Sequence, residues 1–236
     1  GAGFGAALAI IKISNAPLVV EMSAALFAIL GLVLSYALAR NLRYGGWVLR
    51  LVLAGIAVSA LFSSGVGLLK YVADPLKQLP EITFWLLGGL WSVTWVELLY
   101  IAPIVIPALV VLWLMRWRLN LLSLSDETAF SLGVSAGRER ALLLGVAVAA
   151  TAAVVAVAGI VGWIGLIVPH IARRVTGTDA QHSLPASILI GGIFALVCDD
   201  IARTAYVGEI PLGILTSLIG AILFAVMLSR AQGFKR

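Results

Sequence analysis

The sequence predicts an all-α protein, a polytopic membrane helical bundle of about eight spans plus one short re-entrant helix. Three observations carry this prediction. Of the 236 residues, 62% are hydrophobic and 11% charged, whereas a water-covered surface on a chain of this size needs roughly 25% charged residues; the mean hydropathy is +1.10. The charge is also punctuated. Basic residues gather at Arg40/Arg43, Arg116/Arg118, Arg138/Arg140, Arg173/Arg174 and Arg230/Lys235/Arg236, with long apolar stretches between them. Finally, residues 141–172 contain no Asp, Glu, Lys or Arg, yet basic pairs flank both ends. Basic loops mark the cytoplasmic side, so this stretch crosses the membrane and returns. The net charge of +5 is therefore loop charge that sets orientation, not a nucleic-acid footprint.

Residues 2–14, apolar and rich in Gly and Ala, form a first, short span. Pro17 and Glu21 mark a turn, and residues 22–39 form a second span ending at Arg40. Residues 47–69 form a third, with Arg50 near its basic end, where a long side chain can snorkel. The polar stretch 70–82 is a loop on the opposite side. Residues 83–96 are too short to span and hold four aromatics, which fits an interfacial or re-entrant helix. Residues 97–115 cross back to Arg116 and Arg118.

The most polar stretch follows, Asn120 to Arg140. Ser125-Asp126-Glu127 opens a short helix there, and Gly133 ends it. Two full crossings between 141 and 172 would need ~40 residues, more than the stretch contains. The segment therefore reads as one full helix and one short one, hinged at Gly159, Gly162 and Gly165. A short membrane helix must be sheltered by neighbouring helices. Residues 184–198 then cross outward to Asp199, Asp200 and Arg203, and residues 210–229 return to a basic C-terminus. With this topology the cytoplasmic side holds 12 of 16 basic and 4 of 11 acidic residues, a net of +8, against −3 outside. The asymmetry supports the orientation.

Several function classes drop out. No G-x-x-x-x-G-K-[ST] loop is present, so no Walker-type ATP site is expected. No H-E-x-x-H or Cys-rich metal spacing is present, and His170 and His182 fall on different elements. No metal, cofactor or catalytic cluster is expected, and the chain reads as a transport component rather than an enzyme. No acid–base series runs through the middle of a span, which disfavours proton-coupled transport and leaves sodium coupling through backbone carbonyls open. The single cysteine, Cys198, reads as a small core residue. No basic n-region precedes an apolar stretch, so no cleavable signal peptide is read. The segment 120–140 is left to explain: an ordinary solvated loop, or a docking surface for a cytoplasmic partner.

Its residues carry a specific resemblance. LNLLSLSDETAFSLGV (Leu119–Val134) resembles the cytoplasmic coupling segment of FecCD-type permeases, the membrane subunits of type II ABC importers for iron–siderophores, haem and cobalamin. VAVAGIVGWIGLIVPHIAR (Val155–Arg173) is similar to that family's Gly-x-x-Gly-x-x-Gly hinge with its Pro169-His170. DDIAR (Asp199–Arg203) and EIPLGILTSLIGAILF (Glu209–Phe224) follow in family order. Residues 1–118 match more loosely, through GAGFG, Leu53–Gly55 and WLLGGL at 85–90. In the family GAGFG follows two earlier spans, so the resemblance implies that about two transmembrane helices would precede this sequence, as for a fragment, a truncated form or a naturally shortened one. Ser125 replaces a common Gly, and Trp163 a common Phe.

The resemblance implies a single transmembrane permease domain over 1–236, with a coupling segment at 119–137, working as a homodimer in a bacterial or archaeal cytoplasmic (inner) membrane with its C-terminus in the cytoplasm. It implies two cytoplasmic ATP-binding subunits contacting Ser123, Asp126, Glu127, Leu132 and Gly133, although Asp126 and Glu127 also suit simple helix N-capping. A periplasmic or lipid-anchored substrate-binding protein would dock at Arg203, with Asp199 and Glu209 beside it; the plainer alternative is an interfacial arginine among capping acids. The hinge would comprise Gly159, Gly162, Gly165 and Pro169, and His170 would be structural. Residues 49–69 and 210–229 would line the path. An iron chelate is the expected cargo, with haem, cobalamin and an oxyanion open. An ATP-independent transporter or channel, a membrane-embedded enzyme and a non-functional truncated permease are the rival readings.

Overall fold

The computed structural model describes residues 1–42, 45–206 and 208–232; Arg43, Lys235 and Arg236 of the basic clusters lie outside them, as does the side chain of Arg230. The described residues are helical: α1 (Ala2–Lys12), α2 (Pro17–Asn41), α3 (Trp47–Val72), α4 (Gln78–Leu87), α5 (Trp95–Leu114), α6 (Arg116–Leu122), α7 (Asp126–Ser131), α8 (Ala136–Ala158), α9 (Ile164–Thr176), α10 (Ala180–Thr204) and α11 (Leu212–Gln232). Five of these, α2, α3, α5, α8 and α10, are long and apolar enough to cross a membrane. The 11-residue α1 is shorter, and α11 runs 21 residues, with Leu212–Met227 apolar. Among the described residues, helix length and composition thus support five full crossings, which leaves the expected number of about eight without confirmation. At 1.5 Å per residue the 11 residues of α1 cover only about 16 Å, half a hydrocarbon core.

Three boundaries differ from expectation. Pro17 does not mark a turn; it occupies the first position of α2, where its missing N–H costs no hydrogen bond, and Glu21 therefore lies inside the helix. The loop 70–82 contracts to 73–77, because α3 runs to Val72 and α4 starts at Gln78. Asp74 closes that turn by accepting from Leu76 N at 2.8 Å and Lys77 N at 3.1 Å. The aromatic stretch 83–96 is not one helix either, since α4 stops at Leu87 and Gly88 is left-handed at φ +64°. A capping box restarts the chain: Thr94 N donates to Glu97 Oε2 at 2.6 Å, and Glu97 N to Thr94 Oγ1 at 3.5 Å.

Contacts divide the chain into two compact units. The first comprises Gly1–Leu86, Val93–Ala108 and Leu144–Gly159. In it α1 meets α2 backbone to backbone: a Cβ on Gly5 would lie 2.4 Å from Ser23 O, and Ser23 Oγ donates to Gly5 O at 2.7 Å. Phe4 sits between Phe27 and Phe62, with centroids 5.2 and 5.6 Å away. The GAGFG motif is therefore a packing device, with small residues for close approach and one aromatic knob. The burial of Ala6, Ala7, Ala9 and Ile10 shelters a helix too short to stand alone in lipid.

The second unit comprises Leu87–Ser92, Leu109–Leu143 and the chain from Ile160 onward. Here α9 packs along α10 and α11. Three chain breaks converge at Gly213, where a Cβ would lie 2.2 Å from Leu87 O and 2.8 Å from Ile160 O. Cys198 is buried with Ala202, Leu212 and Leu215, the core position expected of it.

Candidate functional site

The segment between α5 and α8 is built by local signals. Ser125 caps α7: its Oγ accepts from Thr128 N at 3.3 Å and lies 2.8 Å from the Thr128 hydroxyl. At the other end Gly133 N donates to Phe130 O and Val134 N to Ala129 O, both at 2.9 Å, around Gly133 at φ +79°. This 6→1 and 5→2 pairing is a Schellman motif, which needs a residue free to be left-handed. Ser123 Oγ donates to Asn120 O at 2.6 Å as α6 ends. Ala129, Val134 and Ala136 form a small core with Leu121 and Leu122.

Two further helices then hold the segment. Arg140, in the second turn of α8, donates from Nη1 to Asp126 Oδ1 at 2.7 Å and from Nη2 to Leu122 O at 3.0 Å. Arg118 ion-pairs with Glu139. Asn120 works in both directions at the start of α10: its amide donates to Asp179 Oδ1 at 2.6 Å, and its Oδ1 accepts from Ala180 N at 2.8 Å. Asp179 itself caps α10 through Gln181 N at 2.8 Å. Its carboxyl is held below the ordinary carboxylate range, first by the Asn120 amide, then by Gln181 N–H, with His182 adding to the effect.

The segment's outward surface is mixed. Asp126 is 68% exposed even with Arg140 on it, and Glu127 is exposed. Leu132 is 56% and Phe130 78% exposed. Ser123, Asp126, Glu127, Leu132 and Gly133 are thus all exposed on one short, pinned element.

The far end of α10 carries the other expected cluster. Its 25 residues span about 37 Å, enough to cross a hydrocarbon core of about 30 Å. Arg203 Nε donates to Asp199 Oδ2 at 2.7 Å, one turn earlier. The chain then reverses: Ile210 N donates to Ala202 O at 3.0 Å, with Glu209 left-handed at φ +50°. Asp199, Arg203 and Glu209 line one depression together with Trp91 and Pro211. Its volume of about 10 Å³ leaves room for about one water, so this is a surface and not a ligand pocket.

The expected hinge is compact. Helicity stops at Ala158 and resumes at Ile164; Gly159 at φ +68° and Trp163 at φ +69° are left-handed. Gly162 lies within the break, while Gly165 and Pro169 lie inside α9. His170 is exposed and lies edge-on to Phe224, centroids 6.2 Å apart. In the first unit Gly55, Val58, Ser59 and Phe62 of α3 line an open cavity of about 330 Å³.

Sequence reasoning missed Asn120, Arg140 and Phe130. The first two act on residues 59 and 14 positions away, and no spacing rule connects them. Phe130 had a signal, as the one aromatic in an otherwise small and polar helix, but its exposure became visible only in the fold.

A family model described as the FecCD transport family matches residues 1–230. The chain is 38% identical over 207 residues to the molybdate import system permease protein MolB of Haemophilus influenzae, covering 87% of this chain and 60% of that protein. It is 37% identical over 199 residues to the hemin transport system permease protein HmuU of Yersinia pestis, covering 80% of this chain and 57% of that one. It therefore spans less than two thirds of the length of either relative. A solved structure of a metal-chelate type ABC transporter in an inward-facing conformation superposes with a TM-score of 0.91 at 36% identity, over 98% of this chain and 73% of that chain. With a match over almost its whole length, a shared helical architecture and several apolar helices long enough to span a bilayer, this chain belongs to the FecCD transport family.

Proposed function

We propose that the chain is the membrane-spanning permease subunit of a binding-protein-dependent ABC importer. A separate cytoplasmic ATPase subunit, in two copies, drives it, and no bond is made or broken in this chain itself. The observation that carries the reading is the pinned α6–α7 segment. Asn120 ties it to α10 and Arg140 to α8, so a push on its outer face reaches two long helices. Ser123, Asp126, Glu127, Leu132 and Gly133 contact the ATPase, and exposed Phe130 is the anchor that enters its surface, since buried aromatics supply much of the energy of protein interfaces.

At the other end of α10, Arg203 with Asp199 and Glu209 receives a substrate-binding protein. Charges of this kind speed and orient encounter more than they add affinity. The break at Gly159–Trp163 lets α8 and α9 move as separate rods, with Gly165 and Pro169 adding give within α9. Two copies of the chain enclose the path, and α3 lines it through the Gly55–Phe62 face that already borders a cavity. The C-terminus lies in the cytoplasm. The cargo is a metal chelate, haem or cobalamin; the molybdate permease among the relatives keeps an oxyanion in the same list.

The test is co-purification of the tagged chain with its ATPase partner in detergent, wild type against Glu127→Arg combined with Gly133→Trp. Wild type should co-purify and stimulate ATP hydrolysis, and the double variant should do neither. A folded wild-type chain that binds no ATPase would sink the proposal.

A further inference from the structure

The junction of α5 and α6 carries a surface that coupling to an ATPase does not use. The apolar run of α5 ends at Leu114, and α6 begins at Arg116. The Arg116 guanidinium lies 4.5 Å above the Trp113 ring, and that of Arg118 lies 5.0 Å above Trp117. Trp113 and Trp117 are each nearly half exposed, and Leu114 is exposed between them.

The two arginines differ in their charge partners. Arg118 is neutralised by Glu139, and nearby Arg140 by Asp126. Asp179 is engaged by Asn120, Gln181 N and His182. Among the described residues Arg116 has no carboxylate partner. It is a cation held over an exposed indole at the point where a span gives way to polar chain. Tryptophan favours that depth in a bilayer, and the anion abundant there is the lipid phosphate.

We propose that Trp113, Arg116 and Trp117 form a binding site for the headgroup of an anionic phospholipid. The indole holds the guanidinium in place, and its N–H groups can donate two parallel hydrogen bonds to one phosphate. The exposed indoles and Leu114 cover the glycerol and the upper acyl chains. A zwitterionic lipid offers the same phosphate but carries its own cation, so net negative charge is what the site selects.

Native mass spectrometry of the full chain in mild detergent with phosphatidylglycerol tests this. Wild type should retain the lipid, and Arg116→Gln should lower retention about five-fold, the share typical of one basic residue near a membrane surface. Arg116→Lys should fall between the two, keeping the charge but losing the stacked fork. Lys77→Gln, in the α3–α4 turn, should leave retention unchanged, and phosphatidylcholine should be held equally by all four proteins. Equal phosphatidylglycerol retention by wild type and Arg116→Gln, or an equal loss in Lys77→Gln, overturns the site.

Discussion

Replacing Arg140 with alanine should loosen the α6–α7 segment while leaving the bundle folded. Arg140 makes two contacts of unequal weight. The ion pair to Asp126, at 2.7 Å, faces water, with Asp126 68% exposed and Arg140 16%; screening leaves a pair of this kind about 0.5 kcal/mol. The bond to Leu122 O, at 3.0 Å, is half-buried and charge-assisted, and contributes about 1.5–3 kcal/mol. Losing both should make local opening of the segment about 2 kcal/mol easier, which corresponds to roughly thirty-fold faster amide exchange. Hydrogen exchange followed by mass spectrometry on peptides covering 121–134 reads this directly. Asp126→Asn removes only the screened pair, so its exchange should rise a few-fold at most. Amides in the middle of α10 should not change in either variant. If coupling runs through this mount, Arg140→Ala should also lose ATPase stimulation with Asp126 still in place. Equal loosening in the two variants would refute the partition, and unchanged exchange in Arg140→Ala would mean that the small core of Ala129, Val134 and Ala136 holds the segment unaided.

Gly213→Val should prevent recovery of monodisperse protein in detergent, because its Cβ would start 2.2 Å from a backbone oxygen that no rotamer change can move, a cost of at least 1–3 kcal/mol. Gly55→Ala, in the middle of α3 with nothing within 4 Å of the new methyl, should be neutral or raise the melting temperature slightly. For pH, the sign follows from Asp179, whose folded pKa is depressed. Its contribution is full above the unfolded value of about 3.9 and fades as pH falls through the lower folded value. Asn120→Ala removes the largest cause of the shift, so that variant should be less stable than wild type at neutral pH and lose less further stability on acidification below about pH 4. Melting curves in detergent at stepped acidic pH would show parallel profiles if the Asn120–Asp179 bond were unimportant.

What the sequence made legible was what carries its own local reason. Ser125 and Gly133 bound α7 as expected, because a capping hydroxyl and a left-handed glycine act within a few residues. The uncharged 32 residues between two basic pairs did resolve into most of one long helix, a break and most of a short one, the 23-residue α8 and the 13-residue α9 each running on into its flanking basic pair, because bilayer thickness allows few alternatives. Pro17 misled because proline suits both a turn and the first position of a helix, and the choice depends on α1 packing behind it. Thr94 and Glu97 hold a capping-box signal that the aromatic run around them obscured.

The mount was not legible, since Asn120 and Asp179 are 59 residues apart with α7, α8 and α9 between them, and the exposure of the segment bears on the two readings of residues 119–134. A solvated loop turns its polar groups to water and hides its apolar ones. This segment does so only in part: Ser123, Asp126 and Glu127 face water and Ala129 and Val134 are buried, but three large apolar side chains are exposed beside them. Arg118, Asn120, Glu139 and Arg140 are partly buried and spend their hydrogen bonds inward. Phe130, Leu132 and Leu124 face out. Large apolar side chains left exposed on a small, fixed element are what a docking surface needs. If the segment docks an ATPase, Phe130, the most exposed of these apolar side chains, is the one whose truncation should weaken binding most.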